Sequence, residues 1–433
     1  MKNKKRNRIF TLLIISLIVT VSGITIFLGI WFRPINVIEI YDNKDFSQKY
    51  HFPGKGTVDD PYIIEGYKLS GNGYHNIRIH GVTKYFVIRN CVLQDSNKGI
   101  DLGYLENGLT VIENNTFENN YVGILIVSSS NLLIKNNHFE NNSRGIESRY
   151  NRQVFLVHNT FNGGKYGMLL GPEYYNITIQ NNVFNNCSWN GIDIIYSDLV
   201  SIDGNTFSNC HIGIIAQYIQ TITMQDNTAV ECGYGFNVVY SENVALRKNN
   251  FTKTQDSIWA SYSNNVIIEQ NFCTLSDTGG LSAYGLLNAQ VSNNTVVSAN
   301  GNGLYIWYSY NIAVNNNSCY NNTIGMSVIC SELVEITYNI FEHNLEYGLV
   351  TQGANATIWY NNFIDNDYTN ISTIHSQAKV DGNCTNYVGF PQFYSNDTLQ
   401  GNYWSELVWY AGVEYSIDPG SFKDKYPLEN PVE

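Results

Sequence analysis

Asn114-Asn115-Thr116-Phe117, Gly123-Ile124-Leu125-Ile126, Asn131-Leu132-Leu133-Ile134 and Asn136-Asn137-His138-Phe139 form one run from which most of the chain can be read. The second Asn of the doublet, or its equivalent, returns at 115, 137, 159, 182, 205, 227, 250, 271, 294, 317, 339 and 362, at intervals of 21 to 23 residues. A Gly followed by an apolar residue keeps the same beat at 99, 123, 145, 167, 191, 213, 235, 280, 303, 325 and 348, with Ser257-Ile258 in the one gap. Two markers in phase over so long a span define an internal repeat.

Each unit holds three short extended pieces, exemplified by Gly191-Ile192-Asp193-Ile194, Asn176-Ile177-Thr178-Ile179 and Asn182-Val183-Phe184. Alternation over such short runs is the period-two signal of strands, and no unit has room for a useful helix. Leucine-rich repeats share the period but need Leu-dominated spacing and a helical outer side. The expected fold is therefore all-β: a right-handed, single-stranded parallel β-helix of about 13 coils, right-handed because parallel crossovers almost always are. At ~4.8 Å per coil the rod would be roughly 60 Å long. Asn suits a corner because it tolerates left-handed backbone, and stacked amides can form a ladder along the axis. Phe117, Phe139, Phe161, Phe184, Phe207 and Phe341, two residues further on, are expected to point inward.

Residues 1–33 hold six basic and no acidic residues, and Ile9 to Phe32 is an unbroken apolar run. That length suits one transmembrane helix, with the basic stub inside and everything after Arg33 outside. The expected location is a single-pass cell-membrane protein with an extracellular β-helix; a signal peptide cleaved near Val21-Ser22-Gly23 is the rival. The remaining chain carries 19 basic against 37 acidic residues, which opposes nucleic-acid binding. An anionic polysaccharide would need local basic patches. Residues 34–80 read as an N-terminal cap, 81–370 as the repeats, and 371–433, where the period fades, as a C-terminal cap.

Cys187, Cys210 and Cys232 each lie five residues after the repeat Asn and should stack as a buried column of thiols. Only His211 stands near as a further ligand, so no metal site or cofactor is expected.

The pattern Gly-Ile-x-x-x-x-Ser-x-Asn followed by Asn-x-Phe, clear at Gly303 to Asn311 and at Asn339-Ile340-Phe341, resembles the β-helix repeats of the NosD-like family. Gly56-Thr57-Val58-Asp59-Asp60-Pro61-Tyr62 is similar to that family's entry motif. Gly401-Asn402-Tyr403-Trp404-Ser405 and Asp424-Lys425-Tyr426-Pro427-Leu428 are similar to its closing segment. The resemblance implies a pectin-lyase-like fold grouped with carbohydrate-binding proteins and sugar hydrolases. Glu406 to Lys423 lacks the calcium-loop-like Asp spacing common there, and the four Met and eight His are scattered.

Two columns could carry function. Tyr150, Tyr196, Tyr218, Tyr240, Tyr262 and Tyr308 lie five residues after the Gly position, with Trp259, Tyr305 and Trp307 nearby. Aromatic rings at a fixed rise suit sugars of a polymer; the alternative is a structural Tyr ladder at a corner, some of it inward by strand parity. Trp259, Tyr305 and Trp307 are expected to be the more exposed. Asp101, Glu147 and Asp193 stand two residues after the Gly on alternate coils, ~9–10 Å apart, near the upper carboxylate separation of inverting glycosidases. The alternative is a set of solvated charges on a flat face. Glu113 with Lys135, and Lys248 with Glu269, read as cross-strand ion pairs. Three functions follow: a membrane-anchored surface protein binding carbohydrate without catalysis; a polysaccharide lyase, epimerase or glycosidase; and a structural or protein-binding spacer.

Overall fold

The computed structural model describes residues 37–366 except 71–72, 106–107 and 173–174, together with short pieces at 20–21, 24–25, 378–381, 402–404, 415–417, 422–424, 428 and 431. The chain winds as a parallel β-solenoid. Each coil contributes one strand to each of three rows, as in Val122–Val127, Ser130–Lys135 and His138–Glu140. Neighbouring coils pair in parallel and in register, so Phe117 lies on Phe139 and Ile124 on Ile146. The third row alone runs to 15 strands. The first two rows are joined by strands Asn190–Asp203 and Ile212–Gln225, which bend from one face to the next.

The winding begins before the regular repeat. Ile38–Ile40 pairs with the strand His75–His80, and Tyr62–Glu65 pairs with Phe86–Arg89. Between them a short turn of π-helix, Asp45–Lys49, buries Phe46 against Tyr62 and Phe86. The expected membrane helix lies almost wholly outside the described residues; within 1–33 only Thr20–Val21 and Ile24–Thr25 are described, as a short antiparallel pair. Among the described residues no helix is long and apolar enough to cross a membrane. Most of the C-terminal segment 371–433 also lies outside the described residues.

The Asn ladder is present, with a shift of register at two coils. Its members are Asn115, Asn137, Asn159, Asn182, Asn205, Asn227, Asn249, Asn271, Asn294, Asn317, Asn339, Asn361 and Asn402, all buried. From Asn115 to Asn361, Nδ2 donates to the Oδ1 of the next Asn in the ladder and to a main-chain carbonyl of the coil before, as Asn205 does to Asn227 (3.0 Å) and to Ile179 (2.9 Å). The expected members Asn250 and Asn362 instead occupy strand positions. There the doublet is followed directly by Phe251 or Phe363, so it is the first Asn that stands two residues before the ring. The left-handed backbone belongs not to the ladder Asn but to the residue preceding it, such as Asn114 (φ 55°), His158 (φ 55°) or Lys248 (φ 53°). One residue turns the chain and the next ties the coils together.

The rings Phe117, Phe139, Phe161, Phe184 and Phe207 stack at 4.5–4.8 Å between centroids. Ala229, Cys273, Val296 and Cys319 take the same place on other coils. Burying a phenylalanine stabilises by about 2–3 kcal/mol, so the column is a major part of the core.

A second Asn ladder runs along the opposite corner through Asn120 and Asn142, and again through Asn322, Asn344 and Asn366. Between these stretches the same position is held by Cys187, Cys210 and Cys232, which are buried free thiols. Thr254, Ser276 and Ala299 continue the position up to Asn322. Cys330 is disulfide-bonded, a crosslink the spacing of the other cysteines gives no hint of.

Candidate functional site

Outward positions on the first row form one continuous column. Reading up the axis, it runs Glu39, Arg78, Asp101, Leu125, Glu147, Leu169, Asp193, Ile215, Asn237, Trp259, Ser282 and Tyr305, each paired with the next. The lower half is charged and the upper half aromatic and polar. All three candidate acids and two of the candidate aromatics therefore share one face, and the alternate-coil spacing of the acids holds.

The acids are not solvated as the flat-face alternative requires. Asp101 is 2 % exposed and Glu147 is 5 % exposed. Asp101 receives His80 Nε2 at 3.2 Å and Lys98 Nζ at 3.0 Å, with Arg78 Nε 3.4 Å away. Glu147 is gripped at one oxygen by Arg144 and at the other by Arg149. Burial alone would push the Asp101 carboxyl up, but the hydrogen bonds from His80 and Lys98 outweigh it and hold it at about 2. Asp193 is only half-buried; burial raises it, against one hydrogen bond from Asn190 Nδ2 at 2.9 Å.

A testable consequence follows for acid stability. A carboxyl lowered from its ordinary 3.8 contributes stability that is present above that value and lost as pH falls through about 2. The loss from this group is about 2 kcal/mol. Urea unfolding at pH 5 and near pH 2 should show that difference in the wild type and a smaller one in Asp101→Asn; equal differences in both would refute the assignment.

The predicted pair Glu113–Lys135 forms at 3.1 Å, but Glu269 pairs with Arg247 at 3.3 Å, not with Lys248. Lys248 sits at the left-handed corner, where its side chain leaves the strand face.

The tyrosine column lies at the corner between the first and second rows. Tyr150, Tyr196, Tyr218, Tyr240, Tyr262 and Tyr308 all have positive φ and are 40–49 % exposed. The inward orientation that strand parity allows does not occur, because the left-handed turn takes these residues off the strand. Tyr104 (φ 55°) belongs to the same column and is the most exposed of it. From Tyr196 to Tyr262 the rings stack within 13° of parallel, at 4.7, 5.2 and 5.1 Å. Each ring covers its neighbour's face, so solvent meets edges and hydroxyls. That stretch is a structural ladder.

The ladder breaks at Gly285. A Cβ there would sit 3.0 Å from the Tyr262 ring, and with none present Tyr284 takes over, meeting Tyr262 edge-on at 4.8 Å. Tyr284 leans on Trp307 (5.0 Å, 36°) and Trp259 (6.5 Å, 57°), and Trp307 meets Tyr305 and Tyr308 at 39° and 30°. Trp259, Tyr305 and Trp307 are half-buried, less exposed than the ladder, contrary to the expectation that they are the freer rings. Their planes are tilted by 30–57° to the rings they meet, where the ladder's are stacked. Asn237, one coil below Trp259, has a buried Oδ1 without a hydrogen-bond partner.

Among the described residues no three His, Cys, Asp or Glu side chains converge where a metal ion could be held. The sequence from 188 to 408, half of the chain, matches the family described as periplasmic copper-binding protein (NosD). The chain belongs to the NosD family. Residues 38–173 of this NosD-family chain match the right-handed β-helix region as well, in keeping with the parallel coils. No curated protein gives a significant match. Among solved structures, a double mutant of the periplasmic alginate epimerase AlgG is 12% identical, with a TM-score of 0.43 over 79% of this chain and 83% of that one. The catalytic domain of a GH87 α-1,3-glucanase with nigerose is 12% identical, TM-score 0.31, over 79% and 63%. A mutant tailspike of E. coli bacteriophage HK620 with a pentasaccharide is 12% identical, TM-score 0.37, over 74% and 71%. At these scores the likeness is one of coiled architecture alone.

Proposed function

We propose that this NosD-family chain is a membrane-anchored, extracellular rod that binds carbohydrate without catalysing a reaction on it. The observation that carries this reading is the tilted cluster of Trp259, Tyr284, Tyr305, Trp307 and Tyr308, which brings apolar ring surface and polar edges together in the upper half of one rod face. Such rings take sugar rings with their apolar sides while hydroxyls meet the polar edges. The basic stub and apolar run of residues 1–32 support anchoring.

The acid column favours binding over glycoside hydrolysis. A glycosidase needs one carboxyl that carries a proton beside one that does not. Asp101 is held ionised and Glu147 is locked between two arginines, while Asp193, raised by burial, has no free carboxylate at the right spacing.

Copper, which the family's description names, finds no fitting donor set in the described residues. Met168, Met224 and Met326 are sealed in the core. The hydrogen bond with Cys187 and burial push the Cys210 thiol up to about 12, and Cys232 is raised further by Cys210 and burial, whereas a metal needs thiolates.

The test is retention on a panel of neutral and acidic polysaccharides. Trp259→Ala with Trp307→Ala should weaken retention roughly tenfold or more, at about 1 kcal/mol per aromatic contact. Tyr218→Asn, which keeps a residue suited to left-handed backbone but removes a ladder ring, should change it less than twofold. No retention of any glycan by the wild type would leave the spacer reading; release of shortened or unsaturated products would establish an enzyme instead.

A further inference from the structure

We infer that the glycan is an acidic one, and that the lower half of the same face is its carboxylate-binding track. The inference rests on the glycan reading above and supplies its substrate class. The protein as a whole is acidic, with a formal charge of −12, so a local excess of positive charge is informative. On this face each buried acid is outnumbered. Arg78 and Lys98, with His80, surround Asp101; Arg144 and Arg149 surround Glu147. Counted over these contacts, positive charge exceeds negative by one in each cluster even with His80 neutral, and Glu39 lies one coil below Arg78.

The buried carboxylates act as anchors that hold the basic groups at the surface in fixed positions. The side chains of Arg78 and Arg149 are 33 % and 50 % exposed, and Arg78 is held by its buried Nε, 3.4 Å from Asp101. An arginine so held presents a planar fork that matches a carboxylate. Glu39, the acid at the lower end of the column, is engaged by His75 at 3.0 Å. Asp193 lies beyond the upper cluster, two coils on.

Aromatic residues accompany the charges. Tyr41 and Tyr104, both more than half exposed, meet the His80 ring edge-on from two sides. Tyr121, also half exposed, carries Arg144 over its ring at 5.2 Å. A carboxylated sugar needs both kinds of contact: an apolar face for the ring and a charged group for the carboxylate.

Spacing fits a polymer. The Asp101 and Glu147 clusters are two coils apart, ~10 Å along the axis, the order of a disaccharide repeat in an extended uronan. Alternate sugars of one strand would place their carboxylates at successive clusters, and the strand would continue up the face toward Trp259.

The test compares the full-length chain's affinity for polygalacturonate and for polymannuronate with its affinity for the carboxyl-reduced, neutral form of each. At least one uronan should bind tenfold or more tightly than its reduced form. That preference should shrink several-fold in Arg78→Gln/Arg149→Gln and in about 0.5 M salt, where exposed charges are screened. The variant keeps Lys98 and His80 on Asp101, and Arg144 on Glu147, so its fold is checked by an unchanged unfolding midpoint. Equal binding of charged and reduced polymers, or a preference untouched by the double substitution, would overturn the acidic-sugar inference while glycan binding stands. Binding of none of these polymers, nor of any in the wider panel, would overturn both.

Discussion

Replacing Asn205 by alanine is expected to destabilise its part of the rod by about 4 kcal/mol, the sum of several buried polar groups left unpaired at 1–3 kcal/mol each. The Asn205 side chain is fully buried. Its Oδ1 accepts from the main-chain N–H of Asn182 (2.9 Å) and from Asn182 Nδ2 (3.0 Å), and its Nδ2 donates to Ile179 O and Asn227 Oδ1. Alanine deprives partners on both neighbouring coils of a bond. Asn205→Asp should be worse still, because it keeps the acceptors, loses the donors and buries a charge without a partner. Coils contact only their neighbours, so the damage should be local. Hydrogen exchange should accelerate in Val183–Asn185 and Thr206–Ser208 but not in Phe86–Arg89. Thr206→Ala, at a half-buried strand position beside it, should cost less than 1 kcal/mol. Comparable losses at both sites would show that the ladder adds nothing beyond packing.

Gly123→Ala should cost at least about 3 kcal/mol, the upper range for an overpacked core. An added Cβ would lie 2.6 Å from the carbonyl oxygen of Gly145 on the next coil and 2.8–2.9 Å from the edge of Phe139. Backbone conformation is not the obstacle, since Gly123 lies outside the left-handed region; space is. Phe139→Leu combined with Gly123→Ala should recover only part of the loss, because it relieves the ring and not the carbonyl. Thermal or urea unfolding of the two variants decides it, and a double variant as stable as Phe139→Leu alone would show that the carbonyl yields. The one natural exception agrees: Ser257 takes the Gly place where Cys273 replaces the phenylalanine, and its hydroxyl bonds Thr254 and Ser276.

These two columns explain why the fold can be read from the sequence. A position that admits only Gly or only Asn repeats without drift, and Asn115 to Phe139 shows both in one glance. The register slip at Asn250 and Asn362 arises because Asn also suits the strand position that Thr116 or Val183 fills elsewhere, so the doublet alone does not say which member is the ladder. Counting back two residues from Phe251 and Phe363 does. The face was less legible, because its contacts join residues a coil apart. Arg78 and His80 reach Asp101 from 21 to 23 positions away, whereas Lys98–Asp101, Arg144–Glu147, Arg149–Glu147 and Asn190–Asp193, two or three residues apart, leave a local trace. The tyrosines were misjudged by parity, since one residue at positive φ cancels the alternation that parity assumes. Gly285, the residue that opens the aromatic cluster, is recognisable only as the missing Tyr of its column.

The direction of the strand pairing has a mechanical consequence. Strands lie across the rod and their hydrogen bonds run along it, so a pull between the two ends loads one coil-to-coil seam at a time instead of shearing all of them together. The rod should yield stepwise, each step paying out a coil of some 22 residues and roughly 70 Å of slack chain. Were the rod anchored and bound to a polymer as proposed above, it would act as an extensible tether, dissipating a tug in small increments and rewinding when the load is removed.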